Sequence, residues 1–340
     1  MLFNREELVK ILTGLKPGLA NKEVIENTNC FAFTGDRVCT YNDDIAISHP
    51  LETDFTAVIE AKTFYSYISK LKEEEIDIAQ TEKGLLIKGK RAKANFPVRT
   101  EEIDMYLLAI GKAKGHKKLP DNFVEGLKLC LPSVSQDASR PSLSTIHICA
   151  NRIQATDGFR ISFFKSQNET EFLLQTTAAY SLINHKPTKV ALTKGWISFL
   201  NEEGCELCTR TVEADVPDLS LFLKIPKKCD ITLTSKLLEA IEKGMVFVAD
   251  NGLTDSRQVT LDIKAKQIII TAKSSTIKGA VFKEITPCIT GIDEEESFSI
   301  TVIAEHMLNI LSKTISCYLS EDGTKLVFKA KGFIHVMSAC

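Results

Sequence analysis

The thiols, carboxylates and imidazoles of this chain lack the spacing that chemistry requires, whereas its cations recur. Cys205 and Cys208 form CELC, the spacing of half a tetrahedral zinc site. No second C-x-x-C or histidine pair lies at ligand spacing, and CELC sits in an alternating strand pattern. Two strand thiols in a reducing compartment, and no metal, are the expectation. Asp43 and Asp44 in TYNDDIAI could act as an acid pair or hold a cation. They fall between two strand-like runs, where aspartate is favoured because it hydrogen-bonds nearby backbone. The six histidines form no local cluster. GxxxxGK followed by Ser or Thr, GxGxxG after a strand, HExxH and GxSxG are absent, so neither a catalytic set nor a cofactor is expected.

The cations behave differently. Lys22 in NKEVIENTN, Arg140 in SRPSLSTIH and Arg257 in SRQVTLDIK are separated by 118 residues (22 to 140) and 117 residues (140 to 257). Each loop follows an amphipathic helix pattern. The first is REELVKILTGL after Asn4 as N-cap, with Leu8, Leu12 and Leu15 on one stripe. The second is PDNFVEGLKLCL, with Phe123, Leu127 and Leu131 on one stripe. The third is TSKLLEAIEKGMVFV, with Thr234 as N-cap and Leu237, Ile241, Met245 and Val248 on one stripe.

After each loop come runs that alternate with period two, broken by a polar turn, as half-buried antiparallel strands do. A second helix pattern follows in each third: EAKTFYSYISKL, TTAAYSLINHK and IAEHMLNILSKT. Each third then has a hairpin with glycine at its turn, at Gly84, Gly195 and Gly323. The order helix, strands, helix, strands, three times over, predicts an α+β chain of three repeated domains, residues 1–115, 116–226 and 227–340. Each would pack two helices on antiparallel sheets. The basic, proline-containing segments 110–120 and 224–230 are short linkers that would hold the domains in fixed register.

The 340 residues carry 42 basic and 44 acidic side chains, a formal net charge of -2, which argues against an all-over basic nucleic-acid coat. A basic surface confined to one face is still compatible with that total. Lys10, Lys16, Lys62, Lys128, Lys236 and Lys313 lie on or beside the helix patterns. If the repeats are related by rotation, these helix faces point the same way and pool their charge with Lys22, Arg140 and Arg257. Such a surface would touch many phosphates of duplex DNA without reading bases. No aromatic platform interleaves with the lysines, so single-strand binding is less supported. The start, MLFNREELVK, has no apolar h-region and no stretch could span a bilayer, so a soluble cytoplasmic protein is expected, with no membrane partner.

One string carries a resemblance. RPSLSTIHICANRIQATDGFRISFF, residues 140–164, resembles the central domain of the bacterial DNA polymerase III β sliding clamp family, with its turn at Ala155, Thr156, Asp157, Gly158, Phe159 and Arg160. DVPDLSLFLKIP, residues 215–226, is similar to the family segment that closes the second domain, and SRQVTLDIKAKQIIITA also fits. The resemblance implies DNA-clamp domains with helices inside and sheets outside, and two chains closing head to tail into a homodimeric ring around double-stranded DNA. It implies a non-catalytic processivity factor. Its partners would be a replicative DNA polymerase and a clamp loader, docking through a short peptide motif.

The family's peptide cleft maps onto Leu143, Thr156, Gly158, Phe159, Arg160, Ile161, Pro226, Ile231, Ile334, Val336 and Met337. Ring closure maps to the sheet edge near Phe96 and the helix end near Val248. Phe159 stands where the family commonly has histidine, and the end, FIHVMSAC, departs from the family's Met-Pro-x-Arg-Leu-like tail. These departures mark a divergent member, such as a phage-encoded clamp matched to its own polymerase. Two other classes compete: a monomeric clamp-fold regulator that binds a replication protein without encircling DNA, and a nucleotide-processing enzyme.

Overall fold

The computed structural model describes every residue except 23, 100–102, 249–256 and 275. Glu23 of the stretch NKEVIENTN and Ser256 of the stretch SRQVTLDIK therefore lie outside the described residues. Among the described residues there are seven helices: α1 (Arg5–Leu15), α2 (Ala61–Lys70), α3 (Ile103–Tyr106), α4 (Phe123–Cys130), α5 (Thr176–His185), α6 (Ser235–Met245) and α7 (Ala304–Leu311). Six match the six helix patterns; α3 answers to none of them.

Local chemistry sets the helix starts. Asn4 accepts the Glu7 N–H at 3.0 Å, and Glu60 accepts the N–H groups of Lys62 and Thr63, so orphan donors of α1 and α2 are satisfied. Thr234 corrects the expectation for α6. It occupies the capping position, but its hydroxyl donates to the Pro287 carbonyl at 3.1 Å and caps nothing. The stripes Leu8, Ile11, Leu12, Leu15 and Leu237, Ala240, Ile241 are buried, and this burial holds α1 and α6 down.

The chain divides into two compact units. Unit 1 is Met1–Val124 with Gln167–Glu213, and unit 2 is Glu125–Ser166 with Ala214–Cys340. The second repeat is thus divided between them. In unit 1 an eight-stranded antiparallel sheet runs in the order Ala57–Glu60, Cys30–Phe33, Arg37–Tyr41, Ile45–Pro50, Glu206–Arg210, Trp196–Leu200, Lys189–Thr193, Lys117–Lys118. Its seam pairs Ile47 with Leu207 and Ala46 with Cys208, joining first-repeat to second-repeat strands.

Unit 2 repeats the construction. Its strands run Thr145–Cys149, Arg152–Thr156, Arg160–Lys165, Phe333–Ser338, Lys325–Ala330, Ser316–Ser320, Lys227–Thr232, Ile289–Thr290. Here the seam pairs Arg160–Lys165 of the second repeat with Phe333–Ser338 of the third. Each unit also holds a four-stranded sheet. Unit 1 has Leu2–Asn4, Glu75–Thr81, Gly84–Lys88, Lys93–Phe96, ending on the edge strand Lys93–Phe96. Unit 2 has Val281–Pro287, Gln267–Lys273, Gln258–Ile263, Phe298–Ile303, with Val281–Pro287 as an edge.

Candidate functional site

Side chains alternate across a strand, so the register at the unit 2 seam decides which candidate cleft residues can meet. Thr156 is opposite Ile161, Ile161 opposite Val336, Val336 opposite Val327 and Val327 opposite Tyr318. These five form one row on one face, with Phe163 and Ile334 paired beside it. The segment Leu219–Ile225 packs on this apolar row through Leu219, Phe222, Leu223 and Ile225. Thr156, Ile161, Ile334 and Val336 therefore share one face of the sheet.

Arg160, Met337 and Ile231 lie on the opposite face, so the eleven cleft candidates do not form one surface. Arg160 pairs with Met337, Met337 with Leu326, Leu326 with Leu319 and Leu319 with Cys229, two residues before Ile231. A one-residue offset is enough to reverse a side chain. Leu143 is buried ahead of Thr145–Cys149, its N–H donated to the Arg140 carbonyl, and is not in the row. Pro226 is exposed, and its carbonyl accepts the Glu321 N–H at 3.0 Å. Phe159 stands 38% exposed at the turn.

That turn is held by its own polar groups. Asp157 accepts the N–H groups of Phe159 and Arg160, while Thr156 accepts the Gly158 N–H and donates to the Arg160 carbonyl. Gly158 adopts φ +97, a region that favours glycine. The Arg160 guanidinium, 7% exposed, donates through Nε to Asp157 at 2.9 Å, and His306 of α7 lies 3.6 Å from the same carboxylate. Burial, reinforced by the neighbouring Arg160 charge, pulls His306 down to about 4. His335, on the same face as Arg160, meets the Ser162 hydroxyl at 2.8 Å, and burial holds it well below its ordinary value. These groups are a buried polar support beneath the row.

Sequence reasoning missed Phe163, Val327, Tyr318 and the segment that covers them. Apolar residues in the stretch DLSLFLKIP were the available signal, since a solvent-facing linker has no use for five of them. Unit 1 builds the same seam and closes it. Tyr106 and Ile110 pack with Cys39, Tyr41, Ala46, Trp196 and Cys208, and the Gly111 N–H donates to Glu206 at 2.8 Å. Cys208 is part of this core and burial pushes the Cys205 thiol up to about 12, which makes both structural thiols. Asp43 bonds Arg210 at 2.7 Å, which, with the Tyr41 hydroxyl, holds its carboxyl below the usual range, and Arg210 stacks 4.2 Å over Trp196. That aspartate is a structural ion-pair partner.

The candidate cations are mostly exposed. Lys10, Lys16, Lys22, Lys62, Lys128, Arg140 and Lys236 all face solvent. Lys10 lies 3.8 Å from Glu203, and Lys16 sits 3.4 Å over the Tyr65 ring. Arg257 and Lys313 are less available. Arg257 is half-buried and donates to Glu305 at 3.2 Å. Lys313 is exposed, but its ammonium is engaged by the Leu129 carbonyl at 3.4 Å, and desolvation there lowers its pKa. Phe96 and Val248 are both buried in their own units, Phe96 against Phe64 at 5.5 Å. Buried in this way, neither side chain presents much apolar surface outward.

Among the described residues no group of His, Cys, Asp and Glu could hold a metal ion, and no helix is long and apolar enough to cross a membrane. Neither a family model nor a curated relative matches the chain by sequence. Solved structures do match in fold. The β subunit of DNA polymerase III from Thermotoga maritima superposes with a TM-score of 0.82 at 15% identity, over 100% of this chain and 98% of that one. The subunit from Borrelia burgdorferi, in complex with a natural product, gives 0.85 at 13%, over 100% and 98%. The sliding clamp from Bartonella birtlesii, bound to griselimycin, gives 0.86 at 14%, over 100% and 99%. The chain has, over its full length, the fold of the DNA polymerase III β-subunit sliding clamps.

Proposed function

We propose that this chain is a non-catalytic DNA sliding clamp. Two copies close head to tail around duplex DNA and tether a replicative polymerase and other DNA-processing partners in the cytoplasm of a bacterium or an infected host. The observation that carries the proposal is the repetition of the seam. First-repeat strand Ile45–Pro50 meets second-repeat strand Glu206–Arg210, and second-repeat strand Arg160–Lys165 meets third-repeat strand Phe333–Ser338. The third-repeat strand in the matching position is the edge Val281–Pro287, and the first-repeat strand in the matching position is the edge Lys93–Phe96.

An edge strand offers unpaired N–H and C=O groups to another chain. Pairing these two edges between copies repeats the seam a third time, and a head-to-tail interface used this way closes a ring. Val281 and Ile285 are exposed on that edge and would be covered by closure. DNA then meets Lys22 and Arg140 on the loops with Lys10, Lys16, Lys62, Lys128 and Lys236 beside them; Arg257 and Lys313 contribute less because they are already engaged. Contact is loose and through phosphates, since topology retains the DNA. The apolar row of unit 2 receives an apolar peptide from the polymerase, and from a clamp loader, with Ile161 and Val336 at its floor.

Sedimentation equilibrium combined with particle imaging tests this reading. The expected mass is twice the 37.7 kDa of one chain, with a central hole in the particles. A single-chain mass at high protein concentration would instead favour the monomeric regulator.

A further inference from the structure

The two units finish the same seam in different ways. In unit 1 the covering segment 103–111 is fixed: Tyr106 is 0% exposed and its hydroxyl donates to the Asn27 carbonyl, Ala109 and Ile110 are buried, and Gly111 is bonded to Glu206. In unit 2 the covering segment is Leu219–Ile225. Only Leu219 is buried; Phe222, Leu223 and Ile225 are half-buried on the row, and Leu221 is 81% exposed.

The hydrogen bonds divide the same way. Among the described residues, this segment is bonded to the sheet at its C-terminal end alone, where the Tyr318 hydroxyl donates to the Ile225 carbonyl at 3.1 Å and the Glu321 N–H to the Pro226 carbonyl at 3.0 Å. Its other bonds are internal: Phe222 N–H to the Leu219 carbonyl, and Ser220 to the Asp218 carboxylate. The sheet can therefore release residues 219–224 without losing a backbone hydrogen bond to them.

We infer that Leu219–Ile225 is a displaceable strap, an in-chain competitor that occupies the apolar row and swings off about its Ile225–Pro226 anchorage when a partner's apolar peptide docks. The inference rests on the row being the partner site. A segment with few buried contacts opens at low local cost. The affinity of any incoming peptide is lowered by the fraction of molecules in which the strap is down. The strap thus sets a threshold: a peptide must fill the row better than Leu219 and Phe222 do.

The test uses the full chain and, as probe, a fluorescent peptide of residues 218–226, DLSLFLKIP. A Leu219→Ser, Phe222→Ser variant, whose own strap no longer fits the row, is expected to bind the probe at least tenfold tighter than the unaltered chain. Equal affinity, or binding to neither, overturns the inference. Hydrogen exchange on the unaltered chain gives an independent readout that needs no variant. The amides of residues 220–225 should exchange at least a hundredfold faster than those of 106–111, and equal protection overturns the strap. Neither measurement involves a polymerase or DNA, so failure of the partner-site reading would show separately, as a polymerase indifferent to a row that nonetheless opens.

Discussion

Ile161 and Val336 stand directly opposite one another on antiparallel strands, although 175 residues of chain (161 to 336) separate them. The pair fuses second-repeat and third-repeat strands into one sheet, and it forms the middle of the apolar row that the strap covers. Val336→Thr keeps the shape but buries a hydroxyl with apolar neighbours. It should cost about 1–3 kcal/mol in urea unfolding, the penalty for an unpaired hydroxyl, without altering the mass of the assembly. A change below a few tenths of a kcal/mol would mean that water reaches the row.

The Asp157–Arg160 pair predicts an asymmetry. Asp157→Asn leaves a guanidinium that is 7% exposed without its counter-charge, which should cost about 3–5 kcal/mol. Arg160→Met removes the charge and keeps much of the volume, and Asp157 still accepts the two turn N–H groups. Chemical denaturation should therefore rank Asp157→Asn as the worse of the two.

Acid should weaken the fold through its histidines. Burial pulls His306 and His185 down to about 4 from an ordinary value of 6.5, and it also holds His335 well below that ordinary value. The folded values are lower than the unfolded ones, so the unfolded chain binds more protons in that window. Stability is present above pH 6.5 and is lost as pH falls from 6.5 toward 4. Urea midpoints measured across that range should decline steadily, and His306→Gln should flatten part of the decline.

The loops were legible because helix stripes, turn glycines and strand alternation are local signals, and each repeat displayed all three. The seams were not. Pairing Ala46 with Cys208 or Ile161 with Val336 is set by register between distant strands, which no local pattern records. For the same reason the cleft candidates arrived mixed: Ile161 and Arg160 are neighbours in sequence yet occupy opposite faces. Phe96 and Val248 show the same limit. A strand end at Phe96 and a helix end at Val248 were readable, but that both side chains are buried depends on tertiary packing.

For DNA, Lys22→Ala with Arg140→Ala should remove two phosphate contacts and reduce the slope of log affinity against log salt by about 1.8. Arg257→Ala should change it less, because Glu305 already neutralises that guanidinium at 3.2 Å. An unchanged slope in the double variant would remove these loops from the DNA surface.

Retention on circular DNA tests the central claim most directly. After loading onto a nicked circular duplex, the protein should stay bound through a high-salt wash that disrupts phosphate contacts, and it should slide free once a restriction enzyme linearises the circle. Loss from both forms in high salt, or equal retention on both, would contradict a closed ring around DNA.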